Sequence, residues 1–577
     1  MNALLQFPYR SALFFLLVPL LVLLLVRSDL NQAGFLDPYI YAAYSIDYSD
    51  ILSRYTQTYY STRLSHILPN AIAAAALGDH AGYLFLRYLL LVAATIATYV
   101  IARHYANELA AWFVALFICA HVWLLRELLW DYYDGSVVTY ALIGLALLLP
   151  RKGESRAHFG AGFAFAWAAN GNPMGLAIAA TYAPTWFIER SGRPLSGKLQ
   201  SMLAAIAGFI IGYGVLVLAM LQIYPGAGWS FDRVTMGMLS FLMSGGGTNW
   251  FMSLSDLIFT RLSYKPLILP FFAIISVLGV FFADRDDPVM RRRSLGALVF
   301  MFATASVFCV FHFVLHWGII GFSYYLIYAL PACLVALSAL IGQWKPTFNR
   351  LVAVAVAVFF SMQFAFWFNA HHLFTRASDL IRPSDLFFPI VISLMALAVA
   401  GLLFLAAVAR RRPKGLASFS TILLVLFSSN AFFVDAFSAQ IFRGDDRELE
   451  WDVRNGALYL QRFIAKRVPA QDPVRFWYGT RDRYLNSVQS VHLWGFSRLS
   501  APVASEAQMP MIDSAVKERL LAAKYVAILG TDVEIDAAFN AMATAGVVAN
   551  IIDRGEFNGR QWPGYKVLLI AIKPTDT

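Results

Sequence analysis

Residues 27–63 read RSDLNQAGFLDPYIYAAYSIDYSDILSRYTQTYYSTR and form a polar stretch that follows the apolar segment 11–26. The stretch holds seven tyrosines and four aspartates, and Asp37 stands directly before Pro38. Beyond it, apolar runs of about 18 or more residues recur, each enough to cross a bilayer core of about 30 Å. The stretch is therefore predicted to be a loop between membrane helices, and the apolar segments around it set the fold.

The composition agrees with a membrane protein. Of the 577 residues, 59% are hydrophobic and 14% charged, which excludes an ordinary soluble globular protein. We predict a polytopic α-helical membrane protein with about 13 transmembrane helices. The predicted spans lie near 11–26, 84–102, 109–125, 136–150, 158–169, 174–188, 199–223, 266–283, 294–314, 318–342, 349–369, 386–409 and 416–438.

The segment Leu64–Leu77 is apolar enough to span, but Pro69 interrupts it. If it does not cross, the basic loops that include Arg103, Arg151 and Arg291–Arg293 fall on one side of the membrane, as the positive-inside rule requires. We therefore interpret it as a partly inserted or interfacial helix. The predicted protein is a multi-pass plasma (inner) membrane protein with a cytoplasmic N-terminus and an extracytoplasmic C-terminus.

The net charge of +10 raises the question of a nucleic-acid partner. The cations lie in short loops between spans, so membrane orientation explains them and no nucleic acid is expected. Cys119, Cys309 and Cys333 lie inside apolar segments, so neither a disulfide framework nor a cysteine metal site is predicted.

Two domains are predicted. Residues 1–439 form the transmembrane domain, with a first outer loop at 28–63 and a second at 126–135, and the two loops are expected to face one cleft. Residues 440–577 are rich in charge and combine β-rich runs with helical patterns, which is typical of a small α/β domain outside the membrane. Strands are expected at Val474–Tyr478, Tyr525–Leu529, Val547–Ile552 and Val567–Ile572.

Asp37, Asp131 and Asp134 are the candidate catalytic residues. A carboxylate at the outer end of a span can act as a general base or orient a lipid-borne substrate. The alternative is helix capping, because Asp37-Pro38 suits an N-cap followed by proline and Asp134-Gly135-Ser136 can begin the next span. Spacing does not decide between these roles.

Arg63 and Arg87 are the candidate substrate-binding cations, since a guanidinium suits phosphate at the membrane rim. The alternative is a side chain that anchors its helix at the lipid headgroups. Tyr39, Tyr324 and Tyr325 are the aromatic candidates. The stretch Tyr324–Pro331 can form either an interfacial aromatic belt or the wall of a lipid-phosphate groove.

A possible helix break and a possible metal site are two further features of the sequence. The spans on either side of Asn170-Gly171-Asn172-Pro173 are short, and we interpret them as broken helices whose free backbone must be covered by protein or water. His312 and His316 are four residues apart and share a helix face, but apolar neighbours favour an interfacial packing pair over a metal site.

The order of these features resembles the GT-C superfamily of membrane glycosyltransferases, near the protein mannosyltransferase and aminoarabinose transferase branch. The resemblance is carried by the first span, the loop with Asp37, the segment Arg63–Gly78, the span ending in Ala102-Arg103-His104-Tyr105, and Trp130-Asp131-Tyr132-Tyr133-Asp134-Gly135. It covers roughly residues 10–190. The resemblance implies a polyprenyl-phosphate-linked sugar donor, with the catalytic carboxylate at Asp37 and a second acidic residue at Asp134 or Asp131. A lysine-proline-proline element of the aminoarabinose branch is absent.

The predicted activity is inverting transfer of a sugar from a polyprenyl phosphate to an extracytoplasmic glycan, lipid or protein. Asp37 would act as general base, and Arg63 or Arg87 would stabilise the departing phosphate. Asp134 would position the acceptor or a divalent cation, although no cofactor is required. The alternatives are a lipid-linked glycan transporter or flippase, for which ionisable residues at mid-membrane would be expected, and a non-catalytic envelope assembly protein.

Overall fold

The protein is described here from a computed structural model. The structure describes residues 9–25, 41, 44–45, 48, 59–119, 121–129, 133–149, 154–223, 251, 253, 268–281, 283, 287–321, 323–344, 456, 459–460, 462–469, 472, 474–478, 509–559 and 564–573. Three predicted spans, 349–369, 386–409 and 416–438, lie outside these residues, so the count of about 13 stays a prediction.

Within the described residues, the helical domain consists of α-helices and a few short 3₁₀ and π turns. The α-helices are α1 Tyr9–Leu25, α2 Leu64–Leu77, α3 Asp79–Tyr105, α4 Glu108–Cys119, α5 Val122–Leu129, α6 Tyr133–Leu148, α7 Glu154–Gly171, α8 Pro173–Glu189, α9 Leu195–Ile223, α10 Ile268–Phe281, α11 Pro288–Cys309, α12 Ser323–Leu326 and α13 Leu330–Trp344. Two predicted spans are divided: 109–125 breaks into α4 and α5, and 318–342 begins with short turns and α12 before α13.

Three described segments are long and apolar enough to cross a membrane: Ala81–Tyr105, Leu195–Ala219 and Pro288–Val314. Shorter apolar helices accompany them, among them Leu64–Leu77 and Tyr133–Leu148. The boundaries of α2 are those predicted from the sequence. Because α2 is only 14 residues long, it measures about 21 Å at 1.5 Å per residue, less than the bilayer core.

Close helix packing in the bundle depends on small residues, as is usual inside membranes. The contact between α7 and α9 is an example. A Cβ atom on Gly162 would lie 1.8 Å from the Ala205 carbonyl oxygen, and one on Gly208 would lie 1.9 Å from that of Phe159. Any larger side chain at these positions would force the two helices apart.

Helices α6, α7 and α8 run in alternating directions, which gives the bundle two polar ends. At one end the start of α6 meets the start of α8, since the Asn172 side chain contacts Asp134. At the other end Arg190, just after α8, donates a hydrogen bond to the Leu148 carbonyl at the end of α6 (2.6 Å). We call these the Asp134 end and the Arg190 end.

The C-terminal residues form the predicted small α/β domain. Strands β1 Val474–Tyr478, β2 Tyr525–Gly530, β3 Ala549–Phe557 and β4 Tyr565–Ile572 make one sheet in the order β1-β2-β4-β3, with β1 parallel to β2 and the other pairs antiparallel. Helices α14 Ser514–Leu521 and α15 Asp532–Thr544 belong to the same domain.

Both faces of the sheet are covered. Val516 and Leu520 of α14 belong to an apolar cluster with alternate residues of β2, whereas Leu460 and Phe463 share a second cluster with the remaining β2 residues. This explains why β2 is a nearly continuous apolar run, as expected for a strand buried on two sides.

Candidate functional site

Arg63 is the first predicted site residue that the structure places in detail. It occupies the N-cap position of α2 and is buried, with 5% of its surface exposed. Its guanidinium carbon lies 3.3 Å from the centroid of the Tyr133 ring and 5.7 Å from that of Tyr41. A cation over an aromatic face is attracted by the ring quadrupole, and the attraction increases when water is excluded. Arg63 therefore points into the protein and not toward the headgroups.

Asp134 lies in the first turn of α6 and is fully buried. Its Oδ1 accepts hydrogen bonds from the Tyr328 hydroxyl and from Asn172 Nδ2, the latter at 3.2 Å. Its Oδ2 has no hydrogen-bond partner among the described residues. The carboxylate is thus bonded to side chains of distant elements, and the helix-capping alternative does not account for its contacts.

Arg63 and Asp134 belong to one buried centre. The two residues lie close enough for the guanidinium to act electrostatically on the carboxylate. Burial of either charge alone would be costly, so each stabilises the other in the absence of water. Arg63 closes the first predicted outer loop and Asp134 the second, so the structure brings the ends of both loops together.

The first loop contributes a further aromatic group. Tyr41 is fully buried, and its ring centroid lies 5.5 Å from those of Tyr133 and His66. His66 is also buried, and its Nδ1 lies 3.0 Å from Ser136 Oγ. Sequence reasoning did not single out Tyr41 or His66, although Tyr41 stands among the seven tyrosines of the loop.

Asn170 and Asn172 flank the break between α7 and α8 and both reach the centre. Asn170 Oδ1 accepts from the Ser65 N–H (2.8 Å), and Asn170 Nδ2 donates to the Thr62 carbonyl (3.1 Å). Asn172 caps α8 by accepting from the Met174 N–H (3.0 Å). The sequence showed where the break lies but not its neighbours, because only the fold brings residues 62–65 beside it.

Tyr328 is the tyrosine of the 324–331 stretch that contacts Asp134. It lies in a 3₁₀ turn, Ile327–Ala329, directly before α13, and it is buried. Tyr325, which the sequence favoured, is partly buried against the helical core. The Tyr324 side chain is outside the described part of the structure. The stretch therefore does border the polar centre, but through a tyrosine three positions later than Tyr325.

Arg87 is buried against α5. Its Nε donates to the Leu128 carbonyl (2.8 Å), and its guanidinium carbon lies 4.9 Å from the centroid of the Tyr83 ring. This contact holds α3 against α5, whose last four residues belong to the second predicted loop. Its burial does not fit a headgroup anchor, while its contact with phosphate stays a prediction.

Three candidates, Asp37, Asp131 and Tyr39, lie outside the described residues, and their roles stay predictions. His312 and His316 lie at and just after a π-helical turn, Val310–Val314. His312 is buried and its Nδ1 accepts from the Ile320 N–H (3.2 Å). Within the described residues no three His, Cys, Asp or Glu side chains are grouped as metal ligands.

The Arg190 end holds a second group of buried polar side chains. Glu189 accepts from the Tyr105 hydroxyl (2.6 Å) and faces His104 at 3.4 Å. Arg190 lies over the Trp186 ring, with its guanidinium carbon 4.6 Å from the centroid. These contacts join α3 to α8 at that end.

No family model matches the sequence, and no curated protein matches it either. Among solved structures, the chain is similar to ArnT from Cupriavidus metallidurans in the apo state and bound to undecaprenyl phosphate. In both cases the identity is 13%, the TM-score is 0.48 and 97% of each chain is covered.

The chain is also similar to the archaeal oligosaccharyltransferase AglB from Archaeoglobus fulgidus in complex with an inhibitory peptide and a dolichol-phosphate. The identity is 13% and the TM-score 0.35, over 93% of this chain and 71% of AglB. The chain is thus similar in fold search to two GT-C proteins, the superfamily that its sequence resembles. At these identities and TM-scores, no side chain of this protein takes its role from theirs.

Proposed function

We propose that this protein is a membrane glycosyltransferase that moves a sugar from a polyprenyl phosphate to an extracytoplasmic acceptor, with inversion at the anomeric carbon. The observation that carries the proposal is the buried pair of Arg63 and Asp134 at one end of an apolar bundle. A cation and a carboxylate are the two groups that such a transfer needs, one for the leaving phosphate and one for the acceptor. The site would face the outer side of the plasma membrane.

Arg63 binds the phosphate in this proposal. The leaving group acquires negative charge as its bond to the sugar breaks, and a fixed buried cation stabilises that charge more than water does. Tyr133 keeps the guanidinium in place from one face, with 3.3 Å between the guanidinium carbon and the ring centroid. The planar edge of the guanidinium is the part suited to phosphate oxygens.

Asp134 orients the acceptor. Its Oδ1 is held by Tyr328 and Asn172, while Oδ2 has no hydrogen-bond partner among the described residues. A buried carboxylate oxygen readily accepts a hydrogen bond from a sugar hydroxyl or coordinates a cation. A cation would need further ligands from substrate or from residues outside the described part.

The reaction balances without a cofactor. Asp37 accepts the proton of the acceptor hydroxyl as its oxygen attacks the anomeric carbon. The bond between that carbon and the phosphate oxygen breaks, and the polyprenyl phosphate leaves with the electron pair beside Arg63. The role of Asp37 comes from the sequence resemblance.

Mass spectrometry of envelope lipids and glycans tests this function. Cells that lack the protein are compared with cells that express the wild type or Asp134→Asn. We expect a species heavier by one sugar residue in wild-type cells alone, with a lipid-linked donor accumulating in the other two. Identical spectra in all three strains would refute glycosyl transfer.

A further inference from the structure

We propose that Asn170 and Asn172 are positioning residues, which fix Arg63 relative to Asp134 from the break between α7 and α8. The inference rests on the proposed function, because it assigns Arg63 to the donor phosphate and Asp134 to the acceptor. Two asparagines, separated by Gly171 alone, then control both halves of the site.

Asn170 holds the backbone on both sides of Arg63. Its Nδ2 donates to the Thr62 carbonyl and its Oδ1 accepts from the Ser65 N–H, at 3.1 and 2.8 Å. The side chain is itself buried, with 5% exposed. Because Arg63 lies between the two bonded residues, its Cα cannot move without the loss of one of these bonds.

Asn172 holds the Asp134 carboxylate. Its Nδ2 donates to Oδ1 at 3.2 Å, while its own Oδ1 is used to cap α8. The amide is therefore oriented by the cap, so that its NH₂ group can only face Asp134. Tyr328 donates to the same carboxylate oxygen, and together they leave Oδ2 for substrate.

Gly171, between the two asparagines, joins them rigidly to the site. A Cβ atom there would lie 2.4 Å from Val137 Cγ2 and 3.1 Å from Ser65 Oγ. The backbone of the break is thus pressed against α6 and the start of α2. A shift of either asparagine would be transmitted to both Arg63 and Asp134.

Aspartate substitutions separate positioning from folding. Asn172→Asp keeps the cap, since aspartate caps as well as asparagine, but replaces the donor to Asp134 with a second carboxylate. Asn170→Asp keeps the acceptor for the Ser65 N–H and loses the donor to Thr62. Asn107→Asp is the matched control, because exposed Asn107 caps α4 through the Ala110 N–H (2.8 Å), away from the site.

Donor binding reports on Asn170. The full-length protein in detergent is titrated with undecaprenyl phosphate and followed by tryptophan fluorescence. We expect Asn170→Asp to weaken binding by about 10-fold, the effect of one buried hydrogen bond lost, and Asn107→Asp to bind like the wild type. Unchanged affinity in Asn170→Asp would overturn its positioning role.

The pH profile of transfer reports on Asn172. Two carboxylates in one buried site hold a shared proton up to a higher pH than a single carboxylate does. Among the described residues, the groups that face Asp134 are Arg63 at the N-cap of α2, Tyr328 and Asn172. At pH 8 we expect Asn172→Asp to transfer about 10²-fold more slowly, as misplaced groups do, and to recover about 10-fold at pH 6, when the shared proton restores a donor.

A merely structural defect gives another pattern. It would reduce the amount of folded protein, and so the rate of transfer, equally at pH 8 and pH 6. Transfer by Asn172→Asp that does not recover at pH 6 would overturn the positioning role of Asn172. If Asn172→Asp fails to insert, Asn172→Ser, which keeps a cap but shortens the reach to Asp134, must lose transfer instead. A wild type with no transfer would refute the proposed function itself, whereas an active wild type with unaffected variants refutes only the positioning.

Discussion

The buried pair of Arg63 and Asp134 predicts strong energetic coupling between two residues 71 positions apart. Their side chains are buried, with 5% and 0% of the residue surfaces exposed. Removal of one of two buried groups of opposite charge leaves the other uncompensated and typically costs about 3–5 kcal/mol.

We therefore expect Asp134→Asn to cost about 3–5 kcal/mol of unfolding free energy, and Arg63→Gln a similar amount. The double variant carries no buried charge at either position. Its cost should fall below the sum of the single costs by about 2 kcal/mol or more, which lies within the range for residues of one electrostatic network.

The measurement is unfolding of the purified protein in mixed detergent micelles of increasing SDS fraction, followed by tryptophan fluorescence. The exposed pair of Arg103 and Glu108, 4.0 Å apart with side chains 50% and 57% exposed, provides the control cycle. Exposed pairs contribute about 0–1 kcal/mol. Costs for Arg63→Gln and Asp134→Asn that add within about 0.5 kcal/mol would refute the buried pair.

Three other predictions concern the site and the C-terminal domain. Asp37→Asn should insert and melt normally but lose transfer by about 10²–10⁴-fold, the usual contribution of a general base. Transfer within a few-fold of the wild type would leave Asp37 as a helix cap, since asparagine caps equally well. Arg63→Ala should bind undecaprenyl phosphate more weakly than Arg63→Lys, because the affinity for phosphate depends first on the positive charge and second on the fork geometry of the guanidinium. The same two substitutions at Arg87 test whether that side chain also binds phosphate; equal affinity in both would show that it serves only to contact Leu128. Residues 440–577 expressed alone should remain soluble without detergent and give a cooperative melt by circular dichroism, because both sheet faces are covered within the domain. Aggregation would indicate that these residues need the helical domain to fold.

Contacts between the domains bear on the role of the C-terminal sheet. Phe557 at the end of β3 and Tyr565 at the start of β4 pack against the core of the helical domain. Tyr565 is also tied to its own domain, since its hydroxyl donates to the Gly456 carbonyl (2.5 Å). Since these rings hold the C-terminal domain against the helical domain, we propose that it shapes access of the acceptor. Deletion of the domain without any change in transfer would contradict it.

Local patterns were sufficient to predict much of the architecture. The bounds of α2 and β1 agree with the sequence prediction, because a helix or strand in these regions is defined by its own run of apolar residues. The division of 109–125 into α4 and α5 was missed, since both halves are apolar and the single polar residue between them, His121, is too weak a signal. Apolar length alone does not show where a membrane helix is interrupted.

The sequence by itself determined that this is a chain of apolar helices followed by a small α/β domain, and it selected Arg63 and Asp134 as candidates for chemistry. It could not determine their partners. Asp134 bonds to Tyr328 across 194 positions, and Asn170 bonds to Thr62 across 108. Such contacts depend on how helices of alternating direction place their ends together, and no local pattern encodes them. Only the tertiary structure decided that Arg63, Asp134 and the asparagines of the helix break share one centre, because mutual burial there makes each charge tolerable.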